Sequence, residues 1–242
     1  MSKKIFKPLA VGVILIFIGI AFQPAVSTNE LIKEDLKPNT YLFDTVIEII
    51  KNPKIKNVLS QIKQDEIVNS NYFKTTLLKI LITKPVLLAS VFFNRPMITN
   101  RYLTNSYYKG INTVNILGET KTNEVINLLK SSNSDVINDL TNIILNDEEL
   151  YQNVLKLKIE NSEITPDDSF SSNPLICTVF TSITVLFVIG AVFFKDISEM
   201  IPDGLQQLRV ILLNMVSPFI DIALIFASVA SVFGCWDDWP GP

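Results

Sequence analysis

The sequence predicts an all-α protein, an exported helical domain followed by a C-terminal hairpin of two transmembrane helices. Three observations predict it. No stretch alternates apolar and polar residues long enough to read as a sheet strand. Outside the longest apolar runs, apolar residues recur at helical spacing, as Ile55, Val58, Leu59 and Ile62 do. The hydrophobic content of 48% and mean hydropathy of +0.33 are concentrated in three runs rather than spread along the chain.

The first run, Pro8 to Val26, follows Lys3, Lys4 and Lys7 and ends near the small residues Ala25 and Ser27. A basic start, an apolar centre and a small-x-small end are the parts of a secretory signal. Residues 1–27 are therefore expected to be a signal peptide or an N-terminal membrane anchor. Either way the lysines stay in the cytoplasm and residue 28 onward is exported.

Residues 28–162 read as an extracytoplasmic helical domain of six to eight short helices. Its candidates are Tyr41 to Lys51, Lys54 to Gln64, Tyr72 to Lys84, Met97 to Leu117, Lys121 to Lys130, Ser134 to Asn146 and Asp147 to Glu160. Pro53, Pro85 and Pro96 stand where new helices can begin, and Gly118 in "NILGET" reads as a helix C-terminus. The Leu77 to Phe93 run is interrupted by Lys79, Lys84 and Pro85. It reads as a buried helix pair, with a membrane-surface helix as the alternative. Tyr102, Tyr107 and Tyr108 are either a binding surface or helix residues with one face buried.

Residues 163–174 form a polar, acidic linker. The second apolar run, 175–194, has no charged residue, and a helix over it spans about 30 Å. The third, 210–234, is interrupted only by Asp221. Between them, 195–209 reads as a cytoplasmic loop turning at Pro202 and Gly204, because Lys195 and Arg209 flank it. The tail 235–242 is then extracytoplasmic.

Four features of the hairpin are candidates for function. Cys177 and Cys235 fall at the same end of an antiparallel pair. They are expected to form a disulfide in an oxidising compartment, or else to be two unpaired thiols. Asn214, Ser217 and Asp221 lie on one polar stripe of the last helix and are expected to make intramembrane polar contacts, within the hairpin, where the preceding span offers hydroxyls, or within an oligomer. An ion site, or a handle for a partner subunit, is the other reading of Asp221. Trp236 and Trp239 are expected to be interfacial anchors in the headgroup layer. Asp237 and Asp238 between them are alternatively a weak cation or partner site.

Composition excludes several chemistries. The chain has no histidine, so Ser-His-Asp and Cys-His catalysis is impossible, and two cysteines cannot make a four-cysteine metal site. Net charge is −3, which gives no basic field for nucleic acid. No cofactor, metal site or catalytic residue is expected. Clustered carboxylates such as Asp147, Glu148 and Glu149 read as a helix start.

The stretches "KPLAVGVILIFIGIAFQPAVS", "YLFDTVIEIIKNPKIKNVL", "NILGETK" and "IILNDEELYQNV" carry a resemblance. On them the chain resembles uncharacterised membrane-anchored exported proteins of Thermoplasmata-type archaea. The resemblance implies an archaeal envelope with ether lipids and implies no activity. The expected function is a non-enzymatic envelope scaffold, binding module or accessory subunit of a membrane complex. Its expected partners are the lipid bilayer and another membrane protein or a second copy. The alternative is a transporter or channel component that oligomerises through Asp221. A hydrolase working with carboxylates alone is the remaining class.

Overall fold

A computed structural model describes residues 40–61, 98–160 and 174–236 of the chain. The expected signal segment, the Leu77 to Phe93 run, most of the linker and Trp239 lie outside these residues. The described residues form seven α-helices and one short 3₁₀ turn, with no strand among them. They are α1 (Thr40–Lys51), α2 (Pro53–Gln61), α3 (Asn100–Leu117), α4 (Glu119–Asn146), α5 (Glu148–Glu160), α6 (Pro174–Met200) and α7 (Gln206–Val232), with the 3₁₀ turn at Asp203–Leu205.

The local chemistry of the helix ends explains most boundaries. Asn52 Oδ1 accepts from the Lys54 amide at 2.9 Å, so Asn52 caps α2 and Pro53 takes the first helical position. Thr99 Oγ1 accepts from the Tyr102 amide at 3.3 Å and starts α3. Gly118 ends α3 with φ of 78°, a conformation that side chains with a Cβ resist. Asp147 caps α5 through the Leu150 amide and pairs with Lys54 at 3.1 Å, which ties the α4–α5 corner to α2.

Two helices expected at Lys121 to Lys130 and Ser134 to Asn146 are joined into α4, with a kink at Asn133 (φ −138°, ψ 25°). The buried Asn133 donates from Nδ2 to Leu129 O at 3.0 Å. A side-chain bond to the backbone at this point competes with the helical ladder and accounts for the bend.

The last two helices form the expected C-terminal hairpin, and they also pack on the helices that precede them. α6 packs against α3 and α4 as well as α7, and α7 packs against α4 and α1. Every residue of α6 from Val179 to Phe194 is buried. A helix apolar on all sides needs cover on all sides. The amphipathic helices α1, α3 and α4 each pack against the hairpin and provide part of that cover.

The α3–α6 crossing is close. A Cβ at Gly110 would run into the Ser182 carbonyl, so only glycine permits this approach. α4 lies on the other side, with Ile137, Leu140 and Ile144 buried and Asp135 and Asp139 exposed. There Ser228 Oγ donates to Leu224 O at 2.8 Å, and Thr141 Oγ1 reaches Ser228 O at 3.4 Å.

The connection inside the hairpin is shorter than expected. α6 continues through Lys195, Asp196 and Ser198, all buried, and the chain turns only at Ile201–Leu205. Charges alone do not end a helix, whereas Pro202 and Gly204 do. Both helices are long and apolar enough to cross a membrane, with mean hydropathies of 2.5 and 2.2 over their most apolar stretches.

Candidate functional site

The open end of the hairpin is built by "FGCW". α7 stops in a Schellman motif: the Gly234 amide donates to Ser231 O at 3.0 Å and the Cys235 amide to Ala230 O at 3.0 Å. Gly234 takes φ of 64°, which glycine adopts without strain. The turn swings Cys235 back over α6, where it is bridged to Cys177 across a Cα–Cα distance of 5.2 Å. That separation lies within the range a disulfide needs.

The same turn carries Trp236 inward. Its indole is only 3% exposed, and Nε1 donates to Thr181 Oγ1 at 3.1 Å. The Lys130 ammonium stands 6.0 Å from the ring centroid, at the outer limit of a cation–π contact. The sequence places Trp236 half buried in the headgroup layer with its N–H on a partner; the structure gives the N–H a partner but buries the ring inside the fold, as an internal clasp. The Schellman turn reverses the chain instead of letting it run outward, and that is the physical reason.

Along the hairpin the seam is aromatic. Phe180, Phe187 and Phe194 on α6 face Phe219, Phe226 and Phe233, which follow one another from α7 into its terminal turn. Ring centroids are 5.3 Å apart for Phe187–Phe219, 5.2 Å for Phe194–Phe219 and 5.7 Å for Phe180–Phe226. All three pairs are edge-to-face, the arrangement the ring quadrupoles favour. Both sets recur every seven residues, a spacing that keeps one stripe facing a partner helix. The sequence reading missed this pattern, although the two heptads are visible in it.

The polar stripe on α7 turns away from α6, which leaves contacts within an oligomer as the reading of it that stands. Asp221 stands two residues from Phe219, about 200° around the helix, and so faces away from the seam. Asn214 is exposed. Among the described residues Asp221 has one hydrogen bond, a long one of 3.4 Å donated by Ser217 Oγ. On α6, Thr178 donates to Pro174 O and Thr181 accepts from Trp236, while Thr184 Oγ1 is buried with no partner among the described residues.

Asp221 and Ser217 instead line a cavity of about 330 Å³ between α7, α2 and the end of α1. Its apolar walls include Ile50, Leu59, Pro218, Ile222 and Ile225. Lys56 and Ser60, both exposed, reach it from α2. Pro218 lies inside α7 and leaves the backbone one donor short there. The cavity thus has an aliphatic lining, one carboxylate and a lysine from an exposed helix.

No known protein family, curated protein or solved structure matches this chain. The geometry alone carries the functional reading.

The tyrosines of α3 face inward. Tyr107 is fully buried, and Tyr102 packs at a tilt against Phe187 with ring centroids 6.1 Å apart. Burial pushes the Tyr107 phenol up to about 12, and the nearby Tyr108 adds to the shift. Burial likewise raises Tyr102 well above the usual tyrosine range, partly opposed by Ser106. These residues are packing, not a binding surface. The Asp147 carboxyl is held below its usual value by the hydrogen bond from Lys54, so this acid serves the α4–α5 corner. Among the described residues no three cysteines or carboxylates converge as a metal site would require.

Proposed function

We propose that the protein is a non-enzymatic helical module of the cell envelope, held at the membrane by the closed end of its C-terminal hairpin. One observation carries this reading. Of the eight large hydrophobic side chains exposed among the described residues, six fall between Met200 and Leu213. Met200 and Ile211 are each 59% exposed. Large apolar side chains gathered at one end of a fold mark an interaction surface. Asp203, Gln206, Gln207 and Arg209 are interleaved with them. That mixture suits the headgroup layer, where apolar groups enter and polar ones remain hydrated.

The half of α7 beside α4 is a poor candidate for lipid contact. Asp135 and Asp139 are exposed next to it, and carboxylates are costly in hydrocarbon. The disulfide at the opposite end supports an oxidising, extracytoplasmic side for the domain, and Lys3, Lys4 and Lys7 support a cytoplasmic N-terminus.

Flotation with vesicles of archaeal-type ether lipid tests the proposal. The full chain is expected to float, and Leu208→Asp with Ile211→Asp is expected to reduce the floated fraction severalfold with an unchanged helical spectrum. A chain that stays at the bottom of the gradient, or a double variant that floats as well as the parent, overturns it.

A further inference from the structure

We infer that the cavity beside Asp221 is a binding site for a short alkyl chain carrying a primary ammonium group. The inference does not depend on membrane association. It rests on three features that converge on one space. Asp221 supplies the only carboxylate among the described residues that line the cavity, and no described cation pairs with it. Its one long bond among the described residues, from Ser217, leaves acceptor capacity on a carboxylate that lines the cavity. Around it the walls are aliphatic, from Ile50 and Leu59 on one side to Ile222 and Ile225 on the other.

Each ligand class meets those features differently. A bare metal ion would find one carboxylate and the hydroxyls of Ser217 and Ser60, too few oxygens for a hard cation. A carboxylate ligand would be repelled by Asp221. An alkyl alcohol would gain the apolar contact but would bring no charge to the acid. An alkylammonium satisfies both, with a charge-assisted hydrogen bond to Asp221 and its chain against the isoleucines. At about 30 Å³ for each water of the liquid, the cavity of about 330 Å³ corresponds to roughly ten waters, room for a short alkyl chain. Lys56 comes from an exposed turn of α2 and disfavours a second positive charge. The site therefore takes a monoamine in preference to a polyamine.

Titration calorimetry of the full chain with n-hexylammonium, 1-hexanol and hexanoate decides the matter. Hexylammonium is expected to bind about tenfold more tightly than hexanol, with hexanoate weakest. Asp221→Asn should bring the first two to the same affinity. Leu59→Trp, which fills the cavity from a half-buried position, should abolish binding of both, and Lys56→Met should tighten hexylammonium binding severalfold. Matching far-UV spectra and melting temperatures establish that the variants are folded. Equal binding of hexylammonium and hexanol by the parent, or a preference that survives in Asp221→Asn, overturns the assignment. Binding untouched by Leu59→Trp places the ligand elsewhere and overturns it as well.

Discussion

Trp236 donates its indole N–H to Thr181 one residue after Cys235 and one turn after Cys177, so a hydrogen bond and a disulfide close the same end of the hairpin together. The two fastenings depend on one turn. Removing the acceptor leaves a buried N–H unsatisfied. Thr181→Val is therefore expected to cost about 1–3 kcal/mol, read as a lowered melting temperature in circular dichroism. Thr181→Ser, which keeps the hydroxyl, should recover most of the loss.

The bridge joins cysteines 58 residues apart. Closing a loop of that length stabilises the fold by about 2–4 kcal/mol in typical cases, chiefly through the unfolded chain. Reduction, or Cys177→Ser with Cys235→Ser, should lower the melting temperature accordingly. Maleimide labelling of the denatured protein checks the premise. No label is expected without reductant and two labels with it; two labels without reductant would sink the prediction.

The aromatic seam should dominate the stability of the hairpin. Phe187 touches both Phe219 and Tyr102, at the point where α3, α6 and α7 meet. Phe187→Ala should cost about 3–5 kcal/mol, the range for a large buried aromatic. Gly110→Ala inserts a Cβ against the Ser182 backbone and should cost about 1–3 kcal/mol by overpacking. The variants act on the same helix crossing, so their combined effect should fall short of the sum. Denaturant melts of the two single variants and the double variant test this.

These residues also show what was legible in the sequence. The helical class, the Pro53 and Gly118 helix ends and the Pro202–Gly204 turn follow from local chemistry that a sequence displays directly, whereas the hairpin pattern placed the two cysteines at one end and left their bridging open. Tertiary choices are not displayed in this way. Whether α6 faces lipid or protein depends on whether α3 can approach it, and that rests on Gly110, an unremarkable residue in the middle of a helix. The inward turn of Trp236 depends on Gly234, whose role becomes clear only with the Cys235 and Gly234 amide bonds in view. Asp221 was visible as an isolated acid, but its direction was not. A polar stripe fixes which residues share a helix face and leaves open which neighbour that face meets.

The pH dependence of stability should have two limbs with different owners. Lys54 depresses the Asp147 carboxyl in the fold, so the folded state holds this proton less tightly than the unfolded one. Its contribution is present above the ordinary aspartate value and is lost as pH falls through the lower, folded one. The pair is solvent-facing, so this acid limb should be shallow, and Lys54→Met should flatten it. Tyr107 has the opposite sign of linkage. Its phenol is pushed up to about 12, so the unfolded chain loses that proton first as pH rises. Stability should therefore fall between the ordinary tyrosine value near 10 and about 12, and Tyr107→Phe should remove part of that fall. Chemical melts from pH 3 to 11 separate the limbs. An alkaline slope unchanged in Tyr107→Phe would assign it to another group, and an acid slope unchanged in Lys54→Met would show that the ion pair contributes nothing measurable.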